Sequence, residues 1–365
     1  MLNASRQSMS APIRVGIAGL GRSGWNIHAK AIAKMSGQFT ITAVADPDAS
    51  RCAEAQGRFG CRTYRDVHDL FVDPVVDLMV IASPNHLHME HTLAALRAGK
   101  HVLCEKPMAI DVADADAMID TADAMGRHLW VFHNRRFEPH FRKLQQIIAS
   151  GDLGDIVHVR TAVHNFTRRW DWQTLRQYGG GMLSNIGSHL LDLMLELFPI
   201  EPVEIFTHLD RVLTLGDAED HCVVMLKPNR GPLLHLEISN AGAFEQDLWL
   251  IMGSQGTLRG NPNQMDWKIA DFSQLPNREL QPQTTAQRVY PHDDVHWQLH
   301  HWTCPEGQNN SPYTHQQFYL DIFNTLKQGA QPNVSVQSVR RLVNVLAQCR
   351  AEESQNKPTG IEVLS

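Results

Sequence analysis

The chain is poor in the features that would anchor it in a membrane, staple it outside a cell or draw it to nucleic acid. No run of about 18 apolar residues occurs in it, so no membrane span is expected. Residues 1–11 are polar, with no apolar h-region and no arginine pair. They read as a disordered tail rather than an export signal, with Met9 as an alternative start. The six cysteines, at 52, 61, 104, 222, 304 and 349, include no C-x-x-C and no zinc spacing. They read as reduced and packed, in a cytoplasmic protein. There is no long basic run, and the net charge is −6 with histidines neutral, which argues against nucleic acid or an anionic membrane as partner. The 20 histidines are mostly scattered.

What is present is a sizeable core and one distinctive loop. With 43% apolar residues in 365, the chain exceeds the size at which single cores usually split, and two domains are expected. The apolar run Ile13–Ala18 ends in Gly19-Leu20-Gly21-Arg22-Ser23-Gly24, and a helical stretch follows. This is G-x-G-x-x-G at a strand-to-helix junction, the context in which the pattern means dinucleotide binding. Gly19 permits the tight turn, Gly21 lets backbone approach a pyrophosphate, and Gly24 lets the helix sit close on the strand. The helix start at Arg22 and Ser23 offers N–H groups to the phosphates. A second β-rich run from Phe39 ends in Asp46, 22 positions after Gly24. An acidic residue there accepts hydrogen bonds from the adenosine ribose and repels a 2′-phosphate, so NAD is favoured over NADP, with Arg51 near enough to bear on that preference. The alternative is a purely structural βαβ turn.

Strand and helix alternate through 12–134, as in a doubly wound parallel α/β sheet. From 135 to 365 the pattern is helices followed by strand candidates, an α+β domain on a large, open, mainly antiparallel sheet. Ile156–Asn165 alternates as a half-buried antiparallel strand does. Residues 260–311 lack periodicity and read as a loop or insertion, and two helices close the chain.

Three constellations carry chemistry. Ser83-Pro84-Asn85-His86-Leu87-His88 follows a buried strand, where ligands of open α/β sheets bind, so Ser83, Asn85 or His88 can meet the cofactor. His86, His88 and His91 suggest a metal, but no fourth ligand is evident and none is expected. Glu105-Lys106-Pro107 ends another strand. Glu105 then sits on the cofactor side, and Lys106 is either a surface lysine or a donor to a substrate oxygen. On the helix from Met182 to Leu197, Asn185, His189, Asp192 and Glu196 form one polar stripe. It is either a solvated face or a site in which Asp192 orients His189 as a base. The stripe starts beside Gly179-Gly180-Gly181, where a flexible backbone can approach a ligand. Arg168, Arg169, Trp170 and Trp172 precede it and are expected to line the substrate side.

These motifs, with Asn134-Arg135-Arg136-Phe137 and in this order, resemble the glucose–fructose oxidoreductase, inositol dehydrogenase and rhizopine-catabolism (Gfo/Idh/MocA) family. The resemblance implies a Rossmann domain, an open-sheet domain used for homodimers or homotetramers, and pyridine-nucleotide redox chemistry on a sugar or polyol. It implies Lys106 as the substrate-activating residue and His189 as the acid/base. The family's usual Asp four positions before that His is Asn185 here, which cannot take a proton but can bind a substrate hydroxyl. The rival readings are a glycosidase using transient oxidation on a bound NAD, and a dinucleotide-binding sensor.

Overall fold

Apolar runs that are buried along their whole length need cover on both faces, and these strands have it. The computed structural model describes residues 11–280 and 290–356; the tail read at 1–11 lies outside them except for its last residue. Ile13–Ala18 (β1), Phe39–Ala45 (β2), Arg62–Tyr64 (β3), Leu78–Ile81 (β4), His101–Cys104 (β5) and Leu129–Val131 (β6) form a parallel sheet in the order β3-β2-β1-β4-β5-β6. The order reverses between β1 and β4, which puts a crevice at the carboxyl ends of these two strands. The crossovers are a π-helical stretch Arg22–Ala29 running into α1 (Lys30–Ala33), then α2 (Ala49–Phe59), α3 (Val67–Phe71), α4 (His88–Arg97) and α5 (Val112–Ala124). Asp48, Asp66 and Asp111 cap α2, α3 and α5 by accepting N–H bonds from Ser50, His68 and Asp114.

The second sheet has eight strands: Ile156–His164 (β7), Pro202–Asp210 (β8), His221–Pro228 (β9), Leu233–Ser239 (β10), Trp249–Gly253 (β11), Gly256–Gly260 (β12), Gln264–Ala270 (β13) and Trp297–Thr303 (β14), ordered β14-β13-β12-β11-β7-β10-β9-β8. Its pairings are antiparallel except one: β7 runs parallel to β10 and antiparallel to β11. The alternation of β7 marks burial of one face and says nothing about the direction of its neighbours. The 260–311 stretch, expected as a loop, supplies β13 and β14. In β13 Met265, Trp267 and the half-buried Ile269 turn inward, alternating with exposed Gln264, Asp266 and Lys268, whereas β14 is exposed almost throughout and shows no such period.

One face of this sheet packs on α6 (Pro139–Ser150), α7 (Ser188–Leu197) and part of α9 (Val336–Asn356), around Phe141, Leu190, Met194, Trp249, Ile251 and Leu346. The closing helices do not belong to the second domain alone, as a boundary at 135 would have them. Phe318, Tyr319 and Ile322 of α8 (Ser311–Gln328) enter the core of the parallel sheet, and α9 sends Val339 and Val343 into that core and Leu342, Val345 and Leu346 into the other. The apolar surface beside Phe132 and Phe39 needs a cover, and α8 provides it through ring contacts of 4.9 Å (Phe318 to Phe132) and 5.3 Å (Tyr319 to Phe39). Phe318→Ala is therefore expected to cost about 3–5 kcal/mol in urea unfolding, as for a buried core aromatic; a loss under about 1 kcal/mol would show that α8 is not part of that core.

Candidate active site

The loop after β1 has the shape a dinucleotide requires. Gly19 has φ +96°, and a Cβ there would lie 2.7 Å from the Ala82 carbonyl; one on Gly24 would lie 1.8 Å from the Gly19 oxygen. Gly21 is different: a Cβ there meets nothing within 4 Å, so its missing side chain leaves free space at the helix start. Arg22 is exposed and Ser23 half-buried there, with no acidic residue in the first turn. Asp46 is buried and accepts from the Leu20 N–H at 2.7 Å and the Asp48 N–H at 2.9 Å, with Arg51 at 3.4 Å. It thus ties the loop to the end of β2, and its carboxylate has lone pairs left for a ribose hydroxyl. These residues fit an adenine dinucleotide: Gly21 and the helix start would hold its pyrophosphate, and Asp46 its ribose.

The segment after β4 is mostly engaged in bracing. Asn85 donates from Nδ2 to the Gly179 carbonyl at 3.0 Å, joining the two domains. His88 is fully buried, 2.7 Å from the Pro107 oxygen through Nδ1 and 3.0 Å from the Ser83 oxygen through Nε2. Burial lowers its pKa, so the ring is neutral and donates to only one of them. With both ring nitrogens engaged, His88 pins the Lys106–Pro107 turn, whose peptide is cis, to the β4 end. Ser83 Oγ lies 3.0 Å from His91 Nδ1. Among the described residues no group of His, Cys, Asp and Glu forms a metal-binding cluster.

Glu105 is buried beneath the site, with Oε1 3.1 Å from His28 Nε2 and Oε2 accepting the Lys106 N–H at 3.0 Å; His28 Nδ1 in turn lies 2.8 Å from Tyr319 Oη. Burial alone would raise the Glu105 pKa, but these partners outweigh it and hold it at about 2. Lys106 reaches across to the second domain, donating from Nζ to the Asn185 backbone oxygen at 2.8 Å and to Asn185 Oδ1 at 3.0 Å. Its pKa falls to about 8, first through burial and then through Arg135, Arg22 and Arg169, against the pull of Glu105. Asn185 Nδ2 donates to Gln173 Oε1 at 3.4 Å, and that oxygen also accepts from Arg169 at 2.7 Å. Gln173 carried no sequence signal; the loop fold alone brings it here.

The polar stripe is not a solvated face: His189 and Asp192 are buried, and Asn185 and Glu196 half-buried. Leu183–Gly187 is a wide helical turn that leads into α7, and every α7 residue from Ser188 to Leu195 is buried. The expected His189–Asp192 hydrogen bond is absent. Asp192 instead forms a two-pronged pair with Arg136, at 2.8 Å and 2.6 Å, and Arg136 holds Glu196 at 2.7 Å. A guanidinium fork matches a carboxylate better than one imidazole nitrogen does, so the nearer-in-sequence histidine loses. Burial opposes the Asp192 charge, but His133, 3.3 Å away, and Arg136 hold its pKa well below the usual carboxylate range. His189 is neutral: burial, then the charges of Lys106, Arg135 and His133, push its pKa well down, and its Nδ1 is buried without a partner.

The loop aromatics do not gather. Trp170 is 76% exposed and Trp172 38%, and Arg168 is exposed. Of the four, only Arg169 joins the network, held by Asp171 at 2.8 and 2.9 Å. The three glycines are there for packing: a Cβ on Gly180 would lie 2.3 Å from the Gln173 oxygen, and one on Gly181 2.1 Å from Glu219 Oε1.

Two family models match the chain: one for an oxidoreductase family with an NAD-binding Rossmann fold over residues 13–133, the other for the GFO/IDH/MocA C-terminal domain over residues 141–259. An uncharacterized oxidoreductase, YdgJ of Escherichia coli (strain K12), is 32% identical over 255 residues, 68% of this chain and 71% of its own. The myo-inositol 2-dehydrogenase of Thermotoga maritima is 29% identical over 255 residues, 67% of this chain and 74% of its own. Among solved structures, the WlbA dehydrogenase of Bordetella pertussis, in complex with NADH and UDP-GlcNAcA, superposes with a TM-score of 0.77 at 23% identity, covering 97% of this chain and 99% of that one.

The loop geometry separates two glycines by experiment. Gly21→Ala is expected to leave the melting temperature within about 2 °C and to weaken NAD⁺ binding at least about tenfold, whereas Gly24→Ala lowers the melting temperature itself. Equal effects of the two on stability would contradict the open space at Gly21.

Proposed function

The chain belongs to the Gfo/Idh/MocA family of NAD-binding oxidoreductases, and from that premise we propose that it passes hydride between NAD(H) and a hydroxyl-bearing carbon of a sugar, cyclitol or sugar derivative. The observation that carries the proposal is the meeting of Lys106, at the carboxyl edge of the parallel sheet, with Asn185 and His189 at the start of α7. Bound NAD supplies the hydride acceptor or donor. Lys106, as an ammonium, donates to the reacting oxygen and replaces one of its Asn185 bonds in doing so. Asn185 takes another hydroxyl, and neutral His189 receives the carbinol proton. Asp46 supports NAD over NADP, since a carboxylate at the end of β2 would accept from a ribose hydroxyl and repel a 2′-phosphate. Substrates of relatives point the same way: inositol for the Thermotoga enzyme and a glucoside for an Escherichia coli 3-dehydrogenase. The open face of the second sheet, with Phe206, Met225, His235, Arg160 and Leu250 in one row across β8-β9-β10-β7-β11, supports a homo-oligomer through that face.

The test is NADH formation with a panel of sugars and polyols, alongside binding of NAD⁺ and NADP⁺. Turnover on one class with NAD⁺ preferred is the expected result. Cofactor binding without net NADH change would instead move the reading to an NAD-dependent glycosidase or a sensor. Lys106→Ala is expected to lower kcat at least about 10²-fold; a loss below about tenfold would remove it from the chemistry. Because Lys106 acts while protonated and its pKa is about 8, kcat/KM falls as pH rises through about 8. Asn185→Asp puts an anion at its side, so the alkaline limb moves to higher pH; a limb that stays in place would show that another group titrates there.

A further inference from the structure

The mechanism leaves one proton without a destination. If neutral His189 takes the carbinol proton at one ring nitrogen, the other already carries a proton that it can now release, and His189 Nδ1 has no protein partner. An imidazolium there would also be buried among like charges, with Lys106 and Arg135 near it. A second histidine lies behind it. His133, just past β6, is 1% exposed, and neither ring nitrogen has a hydrogen-bond partner in the protein. Its ring stands edge-on to that of His189, with 6.2 Å between centroids and 79° between planes. Even pointed straight at each other, nitrogens of rings so spaced fall short of a direct hydrogen bond, whereas one water between them meets both. Buried orphan nitrogens on neighbouring rings are the polar lining such a water needs. On its far side His133 Nδ1 is 3.3 Å from Asp192 Oδ2, at ion-pair distance though not aligned as a hydrogen bond.

We propose that His133 is a positioning residue and proton store for the reaction, linked to His189 through one water and charge-balanced by Asp192. This rests on the dehydrogenase reading above. The steps balance without any further reactant. The carbinol proton goes to one His189 nitrogen as hydride leaves the same carbon for the nicotinamide. The proton on the other His189 nitrogen passes to the water, and a water proton passes to His133. His189 ends neutral, and the charge rests beside the Asp192 carboxylate. The groups around the pair are Asp192 and His189 on α7, Arg136 on the turn after His133, Glu196 behind Arg136, and Lys106 and Arg135 on the His189 side. Asp192 thus orients the base at one remove, through His133, rather than by touching it.

The experiment is His133→Gln in the full chain with NAD. It is expected to lower kcat about 10- to 100-fold with KM for the substrate changed less than about threefold. The acid limb of kcat shifts, because His189 alone, freed of the His133 charge, then holds the proton in place of the pair. A kcat loss with the acid limb unmoved would mean a structural role only and would overturn the proposal, as would a kcat within twofold of wild type. A second measurement needs neither the variant nor turnover: water-to-ring contacts in ¹⁵N-histidine spectra of the wild-type chain. One slowly exchanging water in contact with both the His133 and His189 rings is expected; no such water on either ring overturns the relay. If no sugar or polyol is turned over, the functional reading fails, and the spectra still decide the relay.

Discussion

A carboxylate taken out of water must be met by a full counter-charge, and the site is arranged around one such case. Asp192 is 2% exposed, and Arg136, itself 4% exposed, holds it with both prongs of its guanidinium while reaching Glu196 with the third nitrogen. Removing one partner of a buried pair of this kind typically costs about 3–5 kcal/mol, so the turn after β6 and the helix α7 are locked to each other. That lock fixes where His133, Arg135 and His189 stand. It also leaves Asp192 without a hydrogen bond to His189.

The charge balance in front of the lock is unusual for having few anions. Lys106 faces three arginines and a single carboxylate, Glu105, which is held from below by His28 and through it by Tyr319. The residue that touches the Lys106 amine is a neutral amide, Asn185, whose orientation is set by Gln173 and Arg169. A lysine in such surroundings gives up its proton more readily than one paired with a carboxylate, and a histidine beside it stays neutral. Burial and neighbouring cations thus shift both groups, and the carboxylate beside Lys106, that of Glu105, accepts its backbone N–H rather than its amine.

Much of this was legible before any coordinates. The glycine loop, Asp46, the E-K-P turn and the polar stripe on α7 announce themselves by type and spacing, and the alternation of strand and helix announces the parallel sheet. Other parts had no signal to read. Strand β14 is exposed on both faces, so it has no apolar period. Gln173 and His28 are single polar residues in unremarkable surroundings, and Tyr319 belongs to a helix that reads as part of another domain. Trp170 and Trp172 were read from residue type alone, and the backbone leaves Trp170 in solvent.

By itself, the sequence determined what depends on local chemistry: which turn needs glycine, which strand end carries the acid, which helix face is polar, and hence the family and its cofactor. Only the tertiary structure decided partnership. Asp192 lies three residues from His189 and 56 from Arg136, yet it binds Arg136. Lys106 meets Asn185 across 79 positions, and α8 closes a core that begins some 300 residues earlier. Such pairings follow from what burial leaves without water and which charge or donor can reach it. That competition is settled in space and leaves no trace in spacing along the chain.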